Sequence, residues 1–355
     1  MSSENLQKLK AIMEELARIE SEYTTFFNIA PELFSIASID GFLIKVNPSW
    51  ERGLGYTAEE LTTQPFIEFV HPEDREKTLR TLSTLATEGV NIPGFENRYI
   101  AKDGAIVHLR WDATNKAGHI YATAKDVTKN KRIETSLRLL SDTGKVLAES
   151  WEAGDTLQRV VSLFIPEFSD WCAIDIVQDD GYLKSAAIAH TDPEKIDYAM
   201  TLTGRMRDDK DAPEGKYKVM QTGVAEVYNN IAKDDLDATT ENIEVRTAIE
   251  ELKVRSVIIA PLPAWGKILG TITAISSDSV YTFTEEDVET VAEIGRRCGI
   301  AIYNSMMFYE MGKIFEGAKK YSHILKNIEA YLDESLEQIK LSKDRIAEVR
   351  KQVSK

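Results

Sequence analysis

The sequence predicts an α+β chain in which two domains, each built on an antiparallel sheet, are joined and flanked by long amphipathic helices. Three observations carry this prediction. Asp40-Gly41 and Asp103-Gly104 each lie between alternating apolar runs, a strong hairpin signal because both residues tolerate positive φ. A second block of runs rich in β-branched residues, from Trp171 to Ser277, is broken by polar loops. Before, between and after the two blocks, apolar residues recur at coiled-coil spacing.

Residues 4–28 read as one helix, the main part of a segment assigned to 1–28. Leu9, Leu16 and Tyr23 recur every seven residues, and Ile12, Ile19 and Phe26 follow each by three. Such a seam between charged flanks fits a short dimeric coiled coil, or a single helix packed on its own domain. From Phe34 the pattern shifts to short strands, FSIAS and FLIKV, around Asp40-Gly41. Short helical pieces follow at NPSWERGLG and TAEELTT, with Thr57 as N-cap and Glu60 three residues on. HPEDREKTLRTLSTLATEG is a longer helix opening near Pro72, and three more strand runs close the domain through GHIYATAKDV.

These residues resemble a PAS domain over residues 24–130. The matching features, in order, are Asp40-Gly41, Asn47 with Trp50, Gly55-Tyr56, Glu60-Leu61, His71-Pro72-Glu73-Asp74, Asp103-Gly104 and Asp126-Val127-Thr128. The resemblance implies a domain at 29–128 and an output helix after it, at 129–150. It further implies that Asp126 and Thr128 cap the last strand against that helix and relay strain from the sheet. In the helix, Ile133, Leu137, Leu140, Gly144 and Leu147 alternate by fours and threes.

The second domain, 151–305, has strand candidates WCAIDIVQ, GYLKSAAIAH, GVAEVYN, SVIIAPLPA and KILGTITAISS. A final helix opens near Phe283-Thr-Glu-Glu-Asp, acidic where the helix dipole favours anions. The run Ser256-Val-Ile-Ile-Ala-Pro-Leu, then Gly266, Leu269-Gly270, and Phe283 through Asp287 resemble a GAF domain. Residues 306–355 continue as helix, with Tyr321, Leu325, Ile328, Leu332, Ile339, Ile346, Val349 and Val353 on one seam that Ser335 and Ser342 interrupt. This seam is expected to be the output end, with no further domain after it.

Composition bounds the function. The chain has 355 residues and a net charge of −15, spread along its length, which disfavours nucleic acid as a partner. No run approaches the roughly 20 apolar residues of a membrane span, and the charged N-terminus lacks a signal-peptide centre, so a cytoplasmic protein without membrane insertion is expected. Cys172 and Cys298 form no CxxC pair and read as small buried residues, with no disulfide or zinc site.

Catalytic signatures are absent from the sequence. Sensor histidine kinases share this layout, but Ser322-His323 is followed by Ile324-Leu325-Lys326, without the adjacent acid that assists phosphotransfer, and no Gly-rich ATP domain occurs. A Walker loop, a Gly-Gly-Asp/Glu-Glu-Phe segment and a His-Glu-x-x-His helix are missing as well. His71, His108, His119 and His190 are scattered, and the longer helix of the first domain holds no histidine for haem. That domain also lacks a cysteine for a flavin adduct, and neither cysteine stands in a bilin-attachment motif, so the cofactor is unknown and no covalent flavin, bilin or haem motif is present. Phe283 and Asp287 match part of the cyclic-nucleotide-binding GAF ending, but Val288 replaces its Glu and no Asn-Lys pair occurs. The acidic pairs Asp179-Asp180, Asp208-Asp209 and Asp234-Asp235 lie in polar loops and read as solvated.

Candidate pocket residues are Trp50, Phe66, Phe69, Tyr99 and Trp111 in the first domain. In the second they are Trp171, Asp175, Tyr198, Met206 and Tyr228. The expected function is a non-catalytic signal-transduction sensor or adaptor, a parallel homodimer. It detects a small molecule or partner and acts on a separate effector, such as a kinase or response regulator of a two-component system. Two alternatives stay open: the sensory and dimerisation half of a split or degenerate histidine kinase, and a ligand-free dimeric scaffold.

Overall fold

Two five-stranded antiparallel sheets organise the chain, as the alternating runs predict. The computed structural model describes residues 3–87, 89–149, 153–196, 210, 214–231, 252–277 and 282–353.

Helix α1 (Ser3–Ile29) leads into β1 (Leu33–Ser38) and β2 (Leu43–Val46), whose turn places Gly41 at φ 87°. Short helices α2 (Ser49–Leu54) and α3 (Ala58–Thr63) follow. Thr57 and Glu60 close a reciprocal capping box on α3, as their spacing predicts. The stretch read as one helix from Pro72 divides into a 3-10 turn at Pro72–Asp74 and α4 (Arg75–Leu85). Strands β3 (Asn91–Ile100), β4 (Ile106–Lys116) and β5 (His119–Asp126) complete the order β2-β1-β5-β4-β3. The inner face buries Leu33, Leu43, Trp50, Leu61, Tyr99, Leu109 and Trp111 in one core.

Polar side chains lock this domain. The Asn47 amide accepts from Phe34 N–H at 3.0 Å and donates to the carbonyls of Glu32 and Ala30, while the Trp50 indole donates to Phe34 O at 3.0 Å. Asp74, almost fully buried, accepts from the Arg98 backbone at 2.7 Å and from its guanidinium at 2.8 and 3.0 Å. Burial pushes its pKa up, but the Arg98 side chain and backbone bonds outweigh this and hold it well below the usual carboxylate range. A depressed carboxylate contributes stability above its unfolded pKa and loses it as pH falls through the folded one. The wild-type domain is therefore expected to weaken progressively as pH drops below about 5. In urea titrations at stepped pH, Asp74→Asn should be less stable at neutrality and should lose that part of the acid dependence.

The second domain begins inside the linker. Helix α5 (Thr128–Glu149) and α6 (Ala153–Leu163) precede β6 (Trp171–Val177) and β7 (Leu183–His190). After α7 (Lys216–Thr222) come β8 (Glu226–Tyr228), β9 (Ser256–Ala264) and β10 (Lys267–Ser276), in the order β7-β6-β10-β9-β8. All five predicted strands are present, whereas α6 and α7 are not in the strand-and-loop reading. One continuous helix, α8 (Glu285–Val353), runs for 69 residues, about 100 Å at the usual rise, and Gly312 and Gly317 do not break it.

Helices α5, α6 and the first part of α8 cover one face of this sheet, burying Leu139, Val146, Val160, Phe164, Ile294 and Cys298 with Ile272. The buried stripe of α5 is thus Leu139, Thr143 and Val146. Of the seam read from sequence, Ile133 and Leu137 are exposed, while Leu140 and Leu147 pack half-buried against the core. The stripes differ because the helix lies on its own sheet, so the period that fits a coiled coil also serves an intramolecular contact.

Candidate functional site

A cavity of about 70 Å³ lies between the first sheet and its helices. Phe66, Tyr99 and Trp111 line it, with Leu82, Leu85 and Phe95. Trp50 and Phe69 are buried in the core instead of lining it. Trp50 packs edge-on against Tyr99 and tilted against Trp111, with ring centroids 6.0 and 5.9 Å away. Its indole is already committed to Phe34 O, so it supports the wall from behind.

The polar groups of the wall form a closed chain. Trp111 Nε1 donates to Asn97 Oδ1 at 2.7 Å, Asn97 Nδ2 to Thr78 Oγ1 at 3.1 Å, and Thr78 Oγ1 to Asp74 O at 2.7 Å. Tyr99 and Ser35 are the exceptions: both residues are buried and line the cavity, and neither hydroxyl makes a hydrogen bond among the described residues. Burial alone raises the pKa of Tyr99. Asn97 and Thr78, missed in the sequence reading, look there like ordinary polar residues of a strand and a helix.

Where the sheet hands over to α5, Asp126 and Thr128 hold the junction together. Asp126 Oδ1 accepts from Thr128 N–H at 2.8 Å, and Thr128 Oγ1 accepts from His108 N–H at 2.9 Å. Val127 N–H in turn donates to His108 O at 2.9 Å. The three residues tie the first turn of α5 to β4.

One helical turn later stands a contact that sequence reasoning missed. Arg132 of α5 meets Asp287 of α8 through two contacts, Nε–Oδ1 at 2.9 Å and Nη2–Oδ2 at 2.5 Å. Asp287 is 1% exposed and Arg132 17%. The same carboxylate caps α8, accepting from Thr284 N–H at 2.6 Å and Oγ1 at 2.8 Å. Farther along, Arg297 Nη1 donates to Leu140 O at 2.8 Å. Both contacts advance together along α5 and α8, so the two helices run in the same direction. The pairs span 155 and 157 positions of sequence, and no local pattern announces them.

In the second domain, Trp171 is buried at the start of β6, edge-on to His190 with centroids 5.6 Å apart. Asp175 is buried on the same strand and pairs with Lys216 Nζ at 2.7 Å. Tyr228 bonds Glu226 and accepts from Gly215 N–H at 3.0 Å. Tyr228 and Asp175 thus bond adjacent residues, Gly215 and Lys216, and Tyr198 and Met206 lie outside the described residues. Asn229 brackets Phe283, donating to its carbonyl at 2.8 Å and accepting from its N–H at 3.0 Å.

Cys172 and Cys298 are free, fully buried thiols whose pKa values burial raises, that of Cys298 to about 12. Burial and a raised pKa are the signature of inert structural cysteines. His323 lies within α8. Among the described residues no group of His, Cys, Asp and Glu could hold a metal, and no helix is long and apolar enough to cross a membrane.

Two family matches agree with this architecture: the PAS fold over residues 43–121 and the GAF domain over residues 153–302. No curated protein matches the chain. Among solved structures, the PAS domain of an HTR-like protein from Haloarcula marismortui is 23% identical, covering 33% of this chain and 98% of that one, TM-score 0.30. A domain of a sensory box sensor histidine kinase/response regulator from Geobacter sulfurreducens is 20% identical over 31% and 96%, TM-score 0.29. The GAF domain of a phosphoenolpyruvate-protein phosphotransferase from Coxiella burnetii is 16% identical over 50% and 98%, TM-score 0.39.

Proposed function

Because the chain carries a PAS domain followed by a GAF domain, sensory domains of the kind found in signal-transduction sensors, we propose that it is a non-catalytic sensor acting on a separate effector. The observation that carries this reading is the continuous mechanical path from the first sheet to the long helix. Strand β4 holds Thr128, Thr128 opens α5, and Arg132 one turn on grips the cap of α8. A ligand that favours one arrangement of the first domain biases α8 by its difference in affinity for the two arrangements.

The exposed seam of α8 supports a parallel homodimer as the output form. Met307, Met311, Ile314, Tyr321, Leu325, Ile328 and Leu332 are all exposed and extend the sequence-read seam toward the GAF domain. The exposed Leu9, Ile12, Leu16 and Ile19 of α1 favour the same state. A kinase or response regulator in the cytoplasm is the effector this reading expects. His323→Ala separates it from the split-kinase alternative, since only that alternative loses signalling with the histidine.

The reading is tested by amide hydrogen exchange on the full chain, compared with Thr128→Val. Loosening the β4–α5 junction is expected to raise exchange in both α5 and residues 285–300 of α8. A change confined to α5 would overturn the relay. Sedimentation equilibrium is expected to give a dimer at micromolar concentration, and a monomer there would remove the helix-pairing output.

A further inference from the structure

We propose that the cavity of the PAS domain takes a small, uncharged, mostly apolar molecule that offers one hydrogen-bonding group to Tyr99, a short-chain alcohol or ketone in chemical class. The inference rests on reading this domain as the input of a sensor, and it is carried by size, lining and the hydroxyls that open onto the cavity.

Size comes first. The cavity measures about 70 Å³. A cavity of about 150 Å³ accommodates benzene, so this one suits roughly three to five non-hydrogen atoms. It also lies well below the roughly 300 Å³ at which drug-sized ligand pockets begin. A compound with so few atoms binds no tighter than on the order of micromolar, so the sensor would respond to an abundant small metabolite or solvent-like molecule.

The lining sets the charge. Its residues include Ala37, Leu43, Leu82, Leu85, Ile92 and Phe95, and none of the lining side chains is ionisable at neutral pH. An ion placed there would lose its hydration without a counter-charge. Asp74 ends the Thr78 chain with its backbone carbonyl, and its carboxylate is already held by Arg98.

The hydrogen-bonding group follows from what is left over. Asn97, Thr78 and the Trp111 indole satisfy one another, and Thr81 donates to Lys77 O at 3.0 Å. Two hydroxyls on the wall, those of Tyr99 and Ser35, make no hydrogen bond among the described residues, and that of Tyr99 is assigned to the ligand. The Tyr99 hydroxyl opens onto the cavity, so a ligand there gains one neutral hydrogen bond on binding.

The test uses the full chain with selective methyl labelling, titrated with 2-propanol, with xenon as an apolar probe and with acetate as a charged one. Saturable shifts are expected from both neutral probes at the methyls of Leu82, Leu85 and Ile92, with no saturable shift from acetate. Tyr99→Phe is expected to weaken 2-propanol about three- to tenfold and to leave xenon unchanged, the range of one neutral hydrogen bond. It should fold with a Tm close to wild type, because no hydrogen bond among the described residues is lost. Acetate binding tighter than 2-propanol, equal binding of 2-propanol to Tyr99→Phe, or no saturable shift from either neutral probe would each overturn the proposal. Exchange in α8 is read in the same titration. Local binding without any change in α8 keeps this ligand class and sinks the relay, whereas an intact response to Thr128→Val without local binding does the reverse.

Discussion

Replacing Asp287 with alanine is expected to destabilise the second domain by about 3–5 kcal/mol, the usual cost of leaving one half of a buried ion pair alone. Two losses combine in that variant. Arg132, 17% exposed, loses this carboxylate, and Thr284 loses the carboxylate that caps the first turn of α8. Asp287→Asn can still accept those capping bonds and should cost less. Arg132→Met with Asp287→Asn removes both charges together and should recover much of the stability, because similar-sized neutral replacements for buried pairs are often tolerated. Urea unfolding of the wild type, Arg132→Met, Asp287→Asn and the double variant checks this. Additive losses in the double variant would mean that the two groups do not depend on each other, and the path from α5 to α8 would lose its central contact.

The second large effect concerns glycines where backbones touch. A Cβ at Gly299 would stand 2.5 Å from Pro263 O and 2.8 Å from Leu262 C, and one at Gly295 would stand 2.5 Å from Pro261 O. These residues, four apart on α8, let the helix lie directly on β9. Carbonyl backbone cannot rotate away as a flexible side chain could, so Gly299→Ala must lift the helix, costing about 1–3 kcal/mol or more. Gly312, on the same helix, has no atom within 4 Å of the Cβ it would gain. There the intrinsic helix preference decides, and Gly312→Ala is expected to stabilise by about 0.5–1 kcal/mol. Opposite signs for one substitution on one helix, read by thermal unfolding, are the expected result; a stabilising Gly299→Ala would refute the close approach.

The sequence by itself determined the local architecture. Asp40-Gly41 and Asp103-Gly104 gave their hairpins, Thr57 with Glu60 gave a capping box, and ten strand runs gave ten strands. These depend on backbone preference and on neighbours a few residues away, which a linear reading contains. Asp126 ends β5 and Thr128 opens α5, at the boundary where the resemblance placed them. Tertiary structure decided which side chains face a cavity. It turned Phe66, Tyr99 and Trp111 to the wall and set Trp50 behind it, because all are aromatic and only packing order distinguishes them. It also decided which stripe of α5 is buried, since a 3–4 spacing serves a partner helix or a sheet equally well. The Arg132–Asp287 pair was wholly beyond the sequence: its halves are 155 positions apart, and each alone reads as an ordinary charged residue on a helix. Their meaning comes from burial, which removes the water that would otherwise weaken one charge's hold on the other.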